Sequence, residues 1–289
     1  MSKIQIEESS IASLEEYLNL KNRPSGVIQL TWLGQAGFAI HFKNKLFIID
    51  PYLSDYLSKK YKGKLFPHIR LMDIPILPEK IRNLDYILST HAHSDHMDPE
   101  TITVLSQNNP KCKMIVPSAE IEEAINRGAR HEHLISANAE QIIKIDNDLK
   151  IIGMAAAHEK LKVNEKGEHH FLGYIFCLDE IKIYHSGDCI PYEGLSKKLK
   201  NLEIDIALLP INGRDEYRLE NGIAGNFKIP EVLNLCKQAK IEHLIVHHFG
   251  MFAYNTVSDE QLRSLEKISS KNLKIIIPKI NQAYKIIKN

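Results

Sequence analysis

Three histidines and two aspartates fall within nine residues, THAHSDHMD, at positions 90–98. Side chains of an extended backbone repeat every second residue, so His91 and His93 face one side and suit one cation. Asp95 and His96 follow where the chain must turn, and they can face a second position nearby. Imidazole nitrogen and carboxylate oxygen are donors that suit zinc, manganese or iron. A histidine-rich surface loop is the alternative. It leaves unexplained the apolar run LDYILST directly before the histidines, which reads as a strand delivering a polar loop.

Four donors in one loop do not complete two metal positions. Loops at strand ends carry chemistry on a rigid scaffold, and three such places qualify downstream. His158 closes the apolar run LKIIGMAAAH. Asp188 closes IKIYHSGD, after a glycine that permits a tight turn. His247 and His248 close IEHLIVHH. A carboxylate such as Asp188 can bridge two cations, whereas one imidazole nitrogen serves one. Cys189 adjoins Asp188, but no nucleophile-elbow pattern surrounds it, so a thiol mechanism is not favoured.

The elements that must hold these residues are legible as short apolar runs. Strands are expected at 27–33, 38–42, 46–50 and 86–89, and then at 113–117, 141–145, 149–157, 171–178 and 181–185. DIALLPI and HLIVHH read as buried strands. A first helix is expected from an N-cap at Ser9 or Ser10, with Ile11, Leu14 and Leu18 on one face. Further helices are expected after Pro99, from Ser118 to a stop at Gly128, over KIPEVLNLCKQAK, and over SDEQLRSLEKI. Pro67, Pro75 and Pro78 make residues 51–85 read as an irregular insertion. The strand-rich start followed by alternating strands and helices occurs twice. That layout suits an α/β four-layer αββα sandwich, with two mixed sheets between outer helices, formed by one domain over residues 1–289.

Composition narrows the partners. Hydrophobic residues at 44% and charged residues at 25% describe a chain able to bury a core. A net charge of +1 gives no global field for nucleic acid or anionic lipid. The lysine runs at 58–64 and 196–200 read as solvated faces. No run is long enough to span a bilayer, and MSKIQIEESS has no signal-peptide core. Cys112, Cys177, Cys189 and Cys236 lack paired spacing, which fits a reducing, cytoplasmic setting. The expected partner is a small molecule, with neither nucleic acid nor membrane.

The run His91, His93, Asp95, His96 resembles the H-x-H-x-D-H signature of the metallo-β-lactamase fold superfamily. That resemblance implies one metal on His91, His93 and His158, a second on Asp95, His96 and His248, and Asp188 bridging. HHFGMF resembles the family's H-Y-G-T-F, which selects His248 and leaves His247 a supporting or packing role. Asp50, in IIDPYLSD, matches a strand-end aspartate that supports the histidine loop. LTWLGQAGFAI, IDPYLSD, HSGDCIPYEGL and LLPINGRDEYR resemble the L-ascorbate-6-phosphate lactonase branch, although Gln35 stands where many of its members carry histidine.

The chemistry so implied is hydrolysis without a covalent enzyme intermediate. Two divalent cations, zinc, manganese or iron, share a water and lower its pKa enough to supply hydroxide, with Asp95 and Asp188 as the catalytic carboxylates. The substrate expected is a phosphorylated sugar lactone. Asn212, Arg214 and Arg70 are candidates to bind its phosphate, and Tyr192 to wall the site. The branch implies a homo-oligomer. A small-molecule phosphodiesterase is the alternative on the same metal core. A non-catalytic metal-binding protein would be expected to lack one or more of these ligands.

Overall fold

The structure, a computed structural model, describes residues 4–20 and 26–288. The chain divides into two compact units. One runs to Ala137 and takes back Met251–Tyr254 and the segment from Lys279; the other holds Asn138–Gly250 and Asn255–Pro278. Residues 1–3 of the N-terminal reading lie outside the described residues.

The first unit is built on an eight-stranded mixed sheet. Its first five strands in spatial order are antiparallel: β1 (Ile4–Ser10), β15 (Gln282–Lys288), β2 (Ile28–Gly34), β3 (Gly37–Phe42) and β4 (Lys45–Ile49). The sheet continues in parallel through β5 (Tyr86–Leu88), β6 (Lys113–Pro117) and β7 (Leu134–Ala137). Strands β2 to β4 are almost wholly buried. Among the described residues this unit carries the α-helices α1 (Leu14–Asn19), α2 (Tyr56–Lys60), α3 (Pro99–Asn108) and α4 (Ile121–Asn126). Leu14 and Leu18 of α1, Ile102 and Leu105 of α3, and Ala124 of α4 join one core with Leu33, Ile48, Ile87 and Val116 of the sheet.

The second unit carries a seven-stranded mixed sheet. Strands β14 (Lys274–Ile276), β13 (His243–His247), β12 (Ile206–Pro210) and β11 (Ile181–His185) are parallel. Strands β10 (Leu172–Leu178), β9 (Leu149–Ala155) and β8 (Ile142–Asp146) extend it in antiparallel. Its helices are α5 (Leu195–Asn201), α6 (Glu216–Glu220), α7 (Ile229–Ala239) and α8 (Asp259–Ile268). The helical spacing of Val232, Leu235, Cys236 and Ala239 buries one face of α7. Ser258 and Gln261 close a reciprocal capping box on α8.

Two mixed sheets with helices are the α/β organisation expected, and several local expectations are corrected. Ser9 and Ser10 do not cap the first helix. They pair with Ala283 and Gln282 in the sheet, and Ser13 caps α1 by accepting the Glu16 N–H at 3.2 Å. Ser118 starts a short 3-10 turn and donates to the Ala137 carbonyl at 3.0 Å, so α4 begins only at Ile121. The stretch 51–85 is not wholly irregular, because Tyr56–Lys60 forms α2 ahead of the prolines. Strands β1, β7, β14 and β15 and helices α5 and α6 were not foreseen. All four cysteines are free and buried. No helix among the described residues is long and apolar enough to cross a membrane.

Candidate functional site

In each unit the residues singled out lie at carboxyl ends of sheet strands, where open α/β sheets place ligands. In the first unit the histidine loop leaves β5, between its parallel neighbours β4 and β6. Asp50 follows β4 with φ at +48°, in the left-handed region, and this turns its carboxylate onto the loop. Asp50 Oδ1 accepts the Thr90 N–H at 2.8 Å, and Oδ2 accepts the Thr90 hydroxyl at 2.8 Å.

These contacts fix the tautomers. His96 Nδ1 lies 2.7 Å from Asp50 Oδ2. A carboxylate only accepts, so Nδ1 carries the proton of a neutral ring and Nε2 the lone pair. Thr90 Oγ1 has given its hydrogen to Asp50, and His91 Nδ1 stands 3.0 Å from it. That ring therefore donates through Nδ1 as well and presents Nε2. One buried aspartate thus orients two histidines, the arrangement that holds metal-ligating imidazoles.

The loop's other donors are ordered from nearby strands and turns. The His91 ring meets those of His93 and His96 at 4.6 and 4.1 Å. Gln35, at the turn between β2 and β3 with φ at +49°, donates to Asp95 Oδ2 at 2.8 Å. Where histidine was noted in relatives, this chain uses an amide to orient the aspartate. Asp98 then starts α3, accepting from the Glu100 N–H at 3.2 Å and from the Thr101 hydroxyl. Burial raises its pKa against those hydrogen bonds.

In the second unit Asp188 follows β11 and His248 follows β13, at carboxyl ends of parallel strands; His158 lies beyond β9. Asp188 Oδ1 is 3.3 Å from His248 Nε2, and Oδ2 is 3.8 Å from His158 Nε2. A different imidazole thus faces each oxygen of one buried carboxylate. His248 sits at φ +60°, a costly conformation for a residue with a side chain. That turn separates it from His247, whose ring stacks on His185 at 4.7 Å and 12°. His185 Nδ1 accepts the Gly187 N–H at 3.0 Å, which shapes the turn carrying Asp188.

Gly173 of β10 makes that turn possible. A Cβ there would meet the His185 carbonyl at 2.8 Å, Tyr184 Cε2 at 2.9 Å and Ser186 Cα at 3.1 Å. Gly173→Ala is expected to lower stability by about 1–3 kcal/mol through overpacking, read as a lower urea midpoint. An unchanged midpoint would show that the backbone relaxes there without cost.

The proposed substrate contacts have internal partners. Arg214 forms a two-pronged pair with Glu231, 2.7 Å on each arm, and that hydrogen bonding raises its pKa. The Arg70 guanidinium donates to the carbonyls of Tyr52, Ser54, Met72 and Asp73 and pins the start of the insertion. Asn212 belongs to a buried amide network with Asn226 and Asn255. Tyr192 donates to the Ala155 carbonyl at 2.7 Å. Cys189 is fully buried, and burial pushes its thiol up to about 12, which keeps it from acting as a thiolate.

Sequence reasoning did not assign roles to Thr90, His185 or Gln35. Only Gln35 gave a signal, because it stands where many members of the lactonase branch carry histidine.

Known proteins resemble this chain closely enough to place it. The family model described as "Beta-lactamase superfamily domain" matches residues 46–249. A UPF0173 metal-dependent hydrolase of Saccharolobus solfataricus is 30% identical over 187 residues, covering 64% of this chain and 72% of that protein. The UPF0173 protein YddR of Bacillus subtilis is 27% identical, over 89% of this chain and 99% of YddR. The solved structure of an isothiocyanate hydrolase from Delia radicum gut bacteria aligns with TM-score 0.70 at 20% identity, over 88% of this chain and 98% of that one. That last likeness shows the fold.

Proposed function

This chain belongs to the beta-lactamase superfamily, and from that premise we propose that it is a metal-dependent hydrolase whose substrate is a phosphorylated sugar lactone. The observation that carries the metal dependence is the Asp50 clamp. A buried carboxylate fixes His96 directly and His91 through Thr90, so both rings present the nitrogen a cation needs. The names of curated relatives as metal-dependent hydrolases support the same reading.

The donor set fits divalent cations of the zinc, manganese or iron kind. His91, His93 and His158 would hold one, Asp95, His96 and His248 a second, and Asp188 would serve both. Cations held there supply Lewis acidity and make bound water acidic enough to react near neutral pH. The chain's own residues supply the orientation. Asp50 and Thr90 hold the two imidazole tautomers, Gln35 aims the Asp95 carboxylate, and Asp188 offers one oxygen to each side.

The lactone assignment rests on LTWLGQAGFAI, IDPYLSD, HSGDCIPYEGL and LLPINGRDEYR. Binding energy from a phosphate remote from the carbonyl would place that carbonyl for attack. Metal-loaded protein is therefore expected to open a phosphorylated lactone about ten- to a hundredfold faster, in kcat/KM, than the same lactone without phosphate. The comparison is made with 6-phosphogluconolactone, gluconolactone and a small phosphodiester. Equal turnover of the two lactones would refute the phosphate preference, and faster cleavage of the phosphodiester would replace the lactonase reading.

A further inference from the structure

Helix α2 carries Tyr56 and Lys60 one turn apart on one face. Lys60 Nζ lies 5.8 Å from the Tyr56 ring centre and 5.6 Å from that of Tyr61. It donates to Ser94 Oγ at 3.2 Å, and Ser94 stands between His93 and Asp95 in the histidine loop. The neighbouring Lys59 turns to Glu100 at 2.8 Å. Lys60 has no such pair: among the described residues no carboxylate lies at ion-pair distance from it. An ammonium has three N–H donors, and Ser94 takes one.

The adjoining wall belongs to the same unit. His68 stacks on Tyr61 at 4.1 Å and meets the edge of Tyr254 at 5.1 Å. Its Nδ1 lies 2.8 Å from the Phe66 carbonyl, which can only accept, so Nε2 holds the lone pair. The Tyr254 hydroxyl is buried with no hydrogen-bond partner among the described residues. Tyr61, whose ring lies under the Lys60 ammonium, is the ring on which His68 stacks, and Lys60 reaches Ser94, which places this wall beside the loop. A cation without a carboxylate, a hydroxyl donor and an imidazole acceptor together match an anion with hydroxyls near it.

We propose that Lys60 and the Tyr254 hydroxyl bind the anionic group of a hydroxylated substrate, such as a sugar phosphate or sugar acid, and that His68 Nε2 accepts from one of its hydroxyls. This deepens the hydrolase reading above and rests on it for the substrate's orientation. It moves anion recognition from Arg214 and Arg70, whose guanidinium groups serve the fold, to a lysine in the 58–64 run otherwise read as solvated.

The test is calorimetric titration of the metal-loaded protein with glucose 6-phosphate and with glucose. Wild type is expected to bind the phosphate at least about tenfold more tightly than glucose, Lys60→Met to lose about tenfold of that affinity, and Lys60→Arg to stay within about threefold. Tyr254→Phe is expected to lose about threefold. Lys60 is exposed, so its variants leave the core intact. Anions attracted by the metals alone would bind wild type and Lys60→Met equally, and that equality overturns the proposal. So does the absence of measurable binding to wild type. Because titration needs no turnover, failure of the hydrolase reading would appear separately, as intact lactone in the presence of a lysine-dependent affinity.

Discussion

Asp188→Asn is expected to lower kcat/KM on any hydrolysed substrate by about a thousandfold or more, equivalent to roughly 4 kcal/mol of transition-state stabilisation. The carboxylate is buried, with one oxygen 3.3 Å from His248 Nε2 and the other 3.8 Å from His158 Nε2. An amide has nearly the same shape, so the turn after Gly187 should keep its path. It removes the negative charge, however, and directs N–H donors where an acceptor oxygen stood. The proposed bridge would then lack both charge and a lone pair on one side. Metal content by elemental analysis should fall with activity, while the thermal midpoint of metal-free protein stays within a few degrees. Full activity in the asparagine variant would remove Asp188 from the mechanism.

Asp50→Asn should act on the metal at one remove. Its acceptor oxygens hold the Thr90 backbone, the Thr90 hydroxyl and the His96 ring in their present order. Losing one of those oxygens releases the tautomer of His96, and through Thr90 that of His91. The expected result is about ten- to a hundredfold weaker metal affinity, the usual effect of removing a group that orients a ligand. Asparagine tolerates a positive φ, so the variant keeps the turn at +48°. Asp50→Ala should do more harm, because three buried donors lose their acceptor at about 1–3 kcal/mol each. Competition with a chromogenic chelator reads the first effect and urea unfolding the second. Wild-type metal affinity in Asp50→Asn would show that the clamp does not set the histidines.

The candidate donors stood out in the sequence because most follow an apolar run long enough to be a strand, and a histidine or aspartate at that place has few structural uses. Asp50, His91, Asp188 and His248 share this signature. The inner strands β5, β6, β11, β12 and β13 of the parallel halves were legible for the same reason, since buried strands read as unbroken hydrophobic segments, whereas β7 and β14 at the sheet edges were not. The contacts that tune the site were not. Gln35 reaches Asp95 across 60 positions, and Lys60 reaches Ser94 across 34; no local periodicity encodes such meetings. For Arg214 and Arg70 a guanidinium reads as a binding group in sequence, while the partners it has in the fold, a glutamate 17 residues on and a set of backbone carbonyls, carry no motif. The first helix was misplaced because Ser9 and Ser10 are good caps, and nothing local reveals that a strand near residue 285 claims them first.

That late strand affects how the chain is made. β15 lies between β1 and β2, with Ile4 opposite Lys288 and Ile28 opposite Ile286. During synthesis β1 has no neighbour in its sheet until residues 282–288 have left the ribosome, and β2 presents an open edge throughout that interval. Pairings so distant in sequence form slowly, and an open strand edge invites association with other chains. The first unit, although most of it is translated early, can complete its sheet only after the second has emerged. A chain cut before β15 is therefore expected to leave β1 without its sheet partner and β2 with an open edge that invites pairing with other chains.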